Sequence, residues 1–162
     1  KFIKKNTNLL DSGSSPGGWS QIASKIITTG KILSIDIKNM QSIKNVKFLN
    51  LNIFDNSTKI QINSFFKDRL DVILSDMAAD TTGNKSLDSI RTNQLCSEVL
   101  AMSSKILKPK GVLISKVFMG EDFIEVKNLA KSLFKEVNFF KPVSSRSESK
   151  ETYLHCKLLK SL

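Results

Sequence analysis

Two runs of apolar residues constrain the fold of this chain more than any other feature. "LDVILSD" at 70–76 and "GVLISKVF" at 111–118 are almost uninterrupted by polar side chains. Such runs are typical of strands buried on both faces, which occur in parallel sheets covered by helices. Between them, apolar residues recur close to every 3.6 positions over 86–107, which predicts a helix. Parallel strands joined through a helix indicate an α/β fold.

The same alternation recurs along the rest of the chain and predicts one domain spanning residues 1–162. The alternation of strand and helix is seen again where a strand precedes the predicted helix at 19–28, and again at the short predicted helix that ends near 68. No helical pattern separates the last two strands, so we expect an antiparallel hairpin at one edge of a mostly parallel sheet, with helices on both faces. The further predicted strands are 8–11, 31–36, 46–52, 137–140 and 151–159, and a further helix is predicted at 121–135.

The charge balance favours a polyanionic partner. The 162 residues carry a net charge of +10, and neutralising phosphates with lysine and arginine releases counterions. A general enrichment in lysine is the alternative explanation. No apolar run approaches the ~20 residues that span a bilayer, and the first residues resemble no signal peptide. We therefore expect no membrane association and a location in the cytoplasm or an organelle matrix.

The cysteines do not predict a metal site. Cys96 and Cys156 are far apart in the sequence, and His155 adjoins Cys156. Neighbouring residues of a strand point to opposite faces, so His155 and Cys156 would not share a metal ion. We expect both cysteines to be small core residues and no metal to be bound.

A glycine-rich segment, "DSGSSPGGWSQ" at 11–21, lies between the first strand and the first helix, where open α/β sheets bind ligands. Its glycines Gly13, Gly17 and Gly18 allow close approach to the backbone. Trp19 stands where a phosphate-binding loop requires lysine, and the spacing is not that of a dinucleotide loop. With no basic residue in the loop, a neutral or cationic ligand is favoured.

An acidic residue supplies the second half of this candidate cofactor site. Asp36 ends the second predicted strand, where a carboxylate can accept hydrogen bonds from both ribose hydroxyls of a nucleoside. S-adenosylmethionine fits such a site, because it contains a nucleoside and has no pyrophosphate to bind. A nicotinamide cofactor and a purely structural turn remain the alternatives.

Three ionisable residues predict a catalytic cluster. Asp76 ends the first of the two buried strands, and Lys116 lies in the second, where a charge is costly unless it faces a polar site. Glu151 opens the last strand and could bring a second carboxylate to the same cleft. Such a cluster suits methyl transfer to a hydroxyl, which must be oriented and must lose its proton. A structural ion pair is the alternative.

The segment "KPVSSRSESK" at 141–150 combines hydroxyl groups with cations. Lys141, Ser145, Arg146 and Lys150 are candidate contacts to RNA phosphates, which position a substrate without specifying its sequence. A solvated surface loop is the alternative.

Four separated motifs resemble the FtsJ/RrmJ (RlmE-type) ribosomal RNA 2′-O-methyltransferases, and together they span nearly the whole chain. They are "LDSGSSPGGWSQ", "LSDMAADTTGNKSLD", "KILKPKGVLISKVFMGEDF" and "KPVSSRSESKETY". The resemblance implies a seven-stranded Rossmann-like methyltransferase sheet. It also implies S-adenosylmethionine contacts at Gly17, Trp19, Asp36 and Asp76, and Lys116 as catalytic base supported by Asp76 and Glu151. The implied substrate is a ribose 2′-hydroxyl of large-subunit ribosomal RNA, a uridine of the peptidyl-transferase A-loop.

Two departures from the family pattern are visible. Asn52 stands where the family has an aspartate that binds the adenine, and an asparagine can still accept a hydrogen bond there. The family's further catalytic lysine, on a segment before the first strand, has no counterpart in this sequence. We expect a monomer; the alternative functions are a non-catalytic RNA-binding assembly protein and a methyltransferase for tRNA or an mRNA cap.

Overall fold

The computed structural model describes residues 1–161, and within them it contains one seven-stranded sheet and four helices. The strands are β1 (Leu9–Ser12), β2 (Ile32–Ile35), β3 (Val46–Leu49), β4 (Leu70–Ser75), β5 (Leu107–Phe118), β6 (Phe134–Phe140) and β7 (Glu151–Leu159). The helices are α1 (Gly18–Ile26), α2 (Asn56–Phe66), α3 (Lys85–Ile106) and α4 (Phe123–Leu133).

The strand order explains how distant parts of the sequence meet. The order is β3-β2-β1-β4-β5-β7-β6, in which β7 is antiparallel to both of its neighbours. The other adjacent pairs are parallel, so their carboxyl ends meet at one edge of the sheet. Because β7 is reversed, its first residue lies at that edge, opposite the end of β5. The predicted parallel sheet with an antiparallel edge hairpin is confirmed.

Helices cover both faces of the sheet. Adjacent residues of one strand, such as Leu9 and Leu10 or Val72 and Ile73, belong to two separate buried clusters, because strand side chains alternate between faces. Helix α1 contributes Ala23 to the cluster with Leu9, and the other three helices contribute to the cluster with Leu10. Both cysteines are buried, as expected.

The junction between α3 and β5 differs from the sequence prediction. The helix ends at Ile106 and the strand begins directly at Leu107, four residues before the predicted start at 111. Leu107 is fully buried and pairs with Leu70, so burial draws it into the sheet. The register then shifts, because Val72 pairs with Val112. This irregularity accommodates Pro109, which cannot donate to a regular ladder.

Other element boundaries also differ from the sequence prediction. Helix α4 ends at Leu133, not 135, because Phe134 is buried and pairs with Leu159 at the start of β6. Strands β2 and β3 end before the predicted 36 and 52, and α1 ends at Ile26, not 28. Asp36 and Asn52 therefore lie in the connections that follow the strands, at the edge where ligands bind in such sheets.

Candidate active site at the carboxyl ends of the strands

A cavity of about 470 Å³ opens at the carboxyl ends of the strands. Four predicted cofactor residues line it: Gly13, Asp36, Asn52 and Asp76. The volume is within the range of small-molecule sites, about 300–1,000 Å³. The fold therefore brings these four predicted residues, from the segments after β1, β2, β3 and β4, to one cavity.

The carboxylate of Asp36 is fixed by the backbone. Its Oδ2 accepts a hydrogen bond from the Ser15 amide at 2.8 Å, and its Oδ1 accepts one from the Lys38 amide at 2.8 Å. Each carboxylate oxygen can accept a further hydrogen bond. Asp36 thus presents two oriented acceptors to the cavity, the arrangement that a vicinal diol requires.

Gly13 permits a close approach between two segments of the cavity wall. Its φ is +69°, and a Cβ added there would lie 2.6 Å from Met77 Cγ. The Gly13 amide donates to the Ile35 carbonyl at 2.9 Å, which ties the loop to β2. Any side chain at this position would push Met77 and the segment after β4 away from the loop.

Of the predicted glycine loop, Gly13 and Ser15 line this cavity, whereas Gly17, Gly18 and Trp19 do not. Gly17 has a φ of +117° and is the N-cap of α1, which Gly18 begins. The indole ring of Trp19 packs against the ring of Tyr153, with centroids 5.6 Å apart. Contact of Gly17, Gly18 and Trp19 with a cofactor stays a prediction.

Asn52 lines the cavity, and its side-chain oxygen already accepts one hydrogen bond from the backbone. Its Oδ1 accepts a hydrogen bond from the Phe54 amide at 3.0 Å. This contact orients the side chain, which lines the cavity on the side away from Asp76 along the sheet order.

Lys116, Asp76 and Glu151 form one cluster, as the sequence predicts. The Lys116 Nζ lies 3.1 Å from Asp76 Oδ1 and 3.4 Å from Glu151 Oε2. Asp76 follows β4, Lys116 is on the neighbouring β5, and Glu151 begins β7. The lysine side chain is only 12% exposed, so the pair of carboxylates compensates the cost of its partial burial.

Tyr153 is a member of this cluster that the sequence reading did not select. Its hydroxyl donates to Asp76 Oδ1 at 2.6 Å, and burial, followed by the neighbouring Asp76, raises the pKa of the phenol well above its usual range. Tyr153 therefore remains a hydrogen-bond donor. A usable signal was present: Tyr153 is two residues after Glu151 on a strand and so shares its face.

Asp11 is a second ionisable residue that the sequence reading did not assign. It is 1% exposed; its Oδ2 accepts a hydrogen bond from the Ser20 hydroxyl at 2.6 Å, and its Oδ1 has no hydrogen-bond partner. Burial raises the pKa of this carboxyl to about 7. Ser20 also hydrogen-bonds Ser34 at 2.6 Å, so a buried polar chain links β1, α1 and β2.

The loop at 141–150 lies directly before Glu151. The Lys141 ammonium donates to the backbone carbonyls of Ser147 and Ser149 and so holds the loop closed on itself. Arg146 and Lys150 are exposed, and Ser145 is half-buried. The Met119 amide donates to the Lys150 carbonyl at 2.9 Å, which anchors the loop beside the end of β5. RNA contact by these four residues stays a prediction.

Residues 1–161 hold neither a cluster of metal-binding side chains nor a helix suited to a membrane. No group of three or more histidine, cysteine, aspartate or glutamate side chains is placed to hold a metal ion. Within the same residues, no helix combines the length and the apolar character that crossing a bilayer requires.

Comparison with known proteins places this geometry in a family. The family model described as FtsJ-like methyltransferase matches residues 1–158. The Ribosomal RNA large subunit methyltransferase E of Pelagibacter ubique is 42% identical over 160 residues, 99% of this chain and 79% of its own length. The protein of the same name from Rickettsia akari is also 42% identical, over 95% of this chain and 70% of its own length.

A solved structure agrees with these relatives. A Plasmodium falciparum protein named as a ribosomal RNA methyltransferase superposes with a TM-score of 0.85 at 30% identity, over 98% of this chain and 89% of its own. Human Methyltransferase-like protein 13, at 16% identity and a TM-score of 0.72, shares the fold. The chain therefore belongs to the FtsJ-like methyltransferase family.

Proposed function

We propose that this protein transfers a methyl group from S-adenosylmethionine to a ribose 2′-hydroxyl of large-subunit ribosomal RNA. One observation carries the proposal: the Lys116 ammonium bridges Asp76 and Glu151 at the rim of a cavity that presents the fixed carboxylate of Asp36. The names of the relatives from Pelagibacter ubique and Rickettsia akari support ribosomal RNA as the substrate class. Within that class, the family resemblance favours the A-loop uridine.

The residues present fit the cofactor. Asp36 offers two oriented acceptors for the ribose hydroxyls, and Asn52 offers amide groups for the adenine edge. Gly13 leaves room where a Cβ would displace Met77. When bound, S-adenosylmethionine supplies a methyl group on a cationic sulfur, which needs little further activation.

The remaining task, orienting the hydroxyl and removing its proton, falls to the cluster. In the proposed reaction Lys116 first releases a proton to solvent, and its neutral amine then receives the hydroxyl proton as the hydroxyl oxygen takes the methyl group; the cofactor would leave as its neutral thioether. Asp76 and Glu151 then stabilise the resulting ammonium, and the Tyr153 hydroxyl holds Asp76 in place. Positioning and proton removal are the two contributions that the transfer requires.

The cofactor site is tested by Asp36→Ala. Removing hydrogen bonds to a charged acceptor costs about 1.5–3 kcal/mol each, so we expect S-adenosylmethionine affinity to fall at least about tenfold. Titration calorimetry measures it, with thermal unfolding to confirm that the variant is folded. Asp80→Ala removes an exposed carboxylate from the same cavity rim and should have a smaller effect. A folded wild-type chain that does not bind S-adenosylmethionine would refute the cofactor assignment.

The catalytic assignment is tested by Lys116→Met, which keeps the length of the side chain and removes the amine. We expect kcat for methyl transfer to ribosomal RNA to fall by about 10²–10⁴, while cofactor affinity changes little. Lys157→Met, on the neighbouring β7, is the matched control and should retain activity. If Lys116→Met keeps the wild-type kcat, the lysine is a structural ion-pair member and the proposed proton transfer is wrong.

We also propose that the protein acts as a monomer in the cytoplasm, where its ribosomal substrate is found. The candidate cavity and the cluster are built entirely from residues of one chain, which supports the monomer. Light scattering in solution tests it.

A further inference from the structure

The end of the molecule opposite the candidate active site carries a concentration of positive charge. This basic pole consists of the residues at the amino ends of β1, β2, β3, β4, β5 and β6, the carboxyl end of β7, and the last turns of α1, α3 and α4. Its cations are Lys4, Lys5, Lys25, Lys31, Lys44, Lys47, Lys67, Arg69, Lys105, Lys108, Lys110, Lys131, Lys135 and Lys160.

Contacts confirm that these segments adjoin one another. The amides of Thr28, Thr29 and Gly30 donate to the Lys5 carbonyl, which joins the segments before β1 and β2. The Arg69 guanidinium donates to the Leu107 carbonyl at 3.0 Å, across the starts of β4 and β5. At the far edge, the Lys160 ammonium donates to the Lys131 carbonyl.

The pole accounts for more than the whole net charge of the protein. Among residues 1–161 it holds fourteen basic side chains and two acidic ones, Asp68 and Asp71, which leaves a surplus of twelve. The formal net charge of the chain is +10, so the remainder carries two more negative than positive side chains. A general enrichment in lysine would distribute the surplus over the surface and does not explain this polarity.

Neutralisation within the fold explains only a small part of the surplus. Helices α1, α2, α3 and α4 all end near the pole, and each helix carboxyl terminus carries about half a negative charge, roughly two charges in total. The ion pair of Lys108 with Asp71, at 2.9 Å, is already counted in the surplus. Roughly ten positive charges therefore remain available to a partner.

We infer that the basic pole is a second RNA-docking surface, which binds backbone phosphates of a segment of ribosomal RNA other than the one that enters the active site. The inference rests on the proposed function. Strand β4 crosses the sheet in six residues, so the pole and the catalytic cluster are about 20 Å apart and face opposite directions. One short RNA segment cannot reach both, whereas a folded RNA with several helices can.

The surface favours RNA over an anionic membrane. Membrane-surface binding combines cations with apolar side chains that enter the bilayer. Of the large hydrophobic residues that are exposed within the described part of the chain, three are near the pole: Phe2, Ile22 and Leu158, of which Phe2 packs against His155. A surface with many cations and few apolar side chains is typical of contacts to phosphate groups in nucleic acids.

The test compares two triple variants of equal net charge. The pole variant is Lys67→Gln, Lys110→Gln and Lys135→Gln, and the control variant is Lys59→Gln, Lys85→Gln and Lys127→Gln, on the amino-terminal half of α2, the start of α3 and the middle of α4; all six lysines are exposed except Lys127, which is half-buried. Affinity for a large-subunit ribosomal RNA fragment is measured from 50 to 400 mM salt. For the pole variant we expect at least about tenfold weaker binding and a salt slope smaller by about 2, since each phosphate contact contributes roughly 0.7–0.9 to the slope. The control variant should change less.

Methyl transfer distinguishes the two proposals. The pole variant should raise KM for the long RNA and leave both kcat and S-adenosylmethionine affinity unchanged. Equal loss of RNA affinity in both variants, or no loss in either, would overturn the second docking surface even if wild-type protein methylates RNA. Vesicles of anionic phospholipid are a further probe: binding to them that only the pole variant loses, without a change in RNA affinity, would also overturn it. Absence of methyl transfer by wild-type protein would refute the proposed function, and the binding data would still decide the docking surface.

Discussion

Asp11 is the residue whose environment departs furthest from that of an ordinary carboxylate. It is almost completely buried, one oxygen accepts a hydrogen bond from Ser20, and the other has no partner. Ionising it in this position leaves a charge that a single hydroxyl cannot stabilise. The raised pKa, about 7, follows mainly from this burial.

The stability of the protein should consequently fall as the pH rises towards 7. The folded state binds the Asp11 proton more tightly than the unfolded state, so the contribution is fully present below the unfolded pKa, near 4, and is lost by about pH 7. A difference of this size corresponds to roughly 4 kcal/mol as an upper limit. In Asp11→Asn this pH dependence should disappear, because the amide does not titrate and its NH₂ group can donate where Oδ1 lacks a partner.

Urea unfolding of wild-type and Asp11→Asn protein between pH 4.5 and 8 measures this effect. The difference in free energy of unfolding should move in favour of the variant as the pH rises. Ser20→Ala provides the comparison, since it removes the hydrogen bond and keeps the titrating group. A constant difference between Asp11→Asn and wild type across the range would contradict the assigned pKa.

Among the secondary-structure elements, helix α3 fixes the segment that connects it to β4. The Asn84 side chain caps the helix by accepting a hydrogen bond from the Leu87 amide at 3.1 Å. In the first turn, Asp88 accepts hydrogen bonds from both the amide and the hydroxyl of Thr82. Further along, Thr92 accepts one from the Ala79 amide. The start of α3 thereby holds one wall of the candidate cofactor cavity.

Asn84→Ala should lower the free energy of unfolding by about 1 kcal/mol, which is the usual cost of losing an N-cap side chain. Asn84→Asp restores an acceptor and places a negative charge at the helix amino end, so it should recover the loss. Chemical denaturation of the three proteins gives the comparison. Equal destabilisation by alanine and aspartate would show that the cap does not contribute.

Helices and strands could be predicted from the sequence where their apolar pattern involves only neighbouring residues. The apolar run at 111–118 and the helical period at 86–107 identified β5 and α3. The start of β5 at Leu107, four residues before the predicted 111, was not visible in the sequence, because that extension depends on pairing with Leu70. The extra length of β6 has the same cause, since Phe134 is held by Leu159. Long-range pairing is not visible in a local pattern.

For the molecule as a whole, topology allowed part of the site to be anticipated. Asp76, Lys116 and Glu151 are far apart in the sequence, and only the rule that parallel strand ends meet at one edge predicted their contact. Tyr153 was missed because a tyrosine in a strand is typical of packing. The polarity of the charge was missed too, because net charge reports the amount of charge and not its position, which depends on where every strand begins.

The reversed β7 has a consequence for how such a protein changes its target. The walls of the cofactor cavity come from residues between 13 and 98, whereas Glu151, Tyr153 and the loop at 141–150 all belong to one continuous hairpin, β6 to β7. The proposed contacts to the methyl donor and the proposed contacts of the 141–150 loop to RNA are thus encoded in separate stretches of the gene. On this proposal, replacement of a single contiguous exchange unit, the hairpin, should change which RNA segment enters the active site while the methyl-donor half stays as it is.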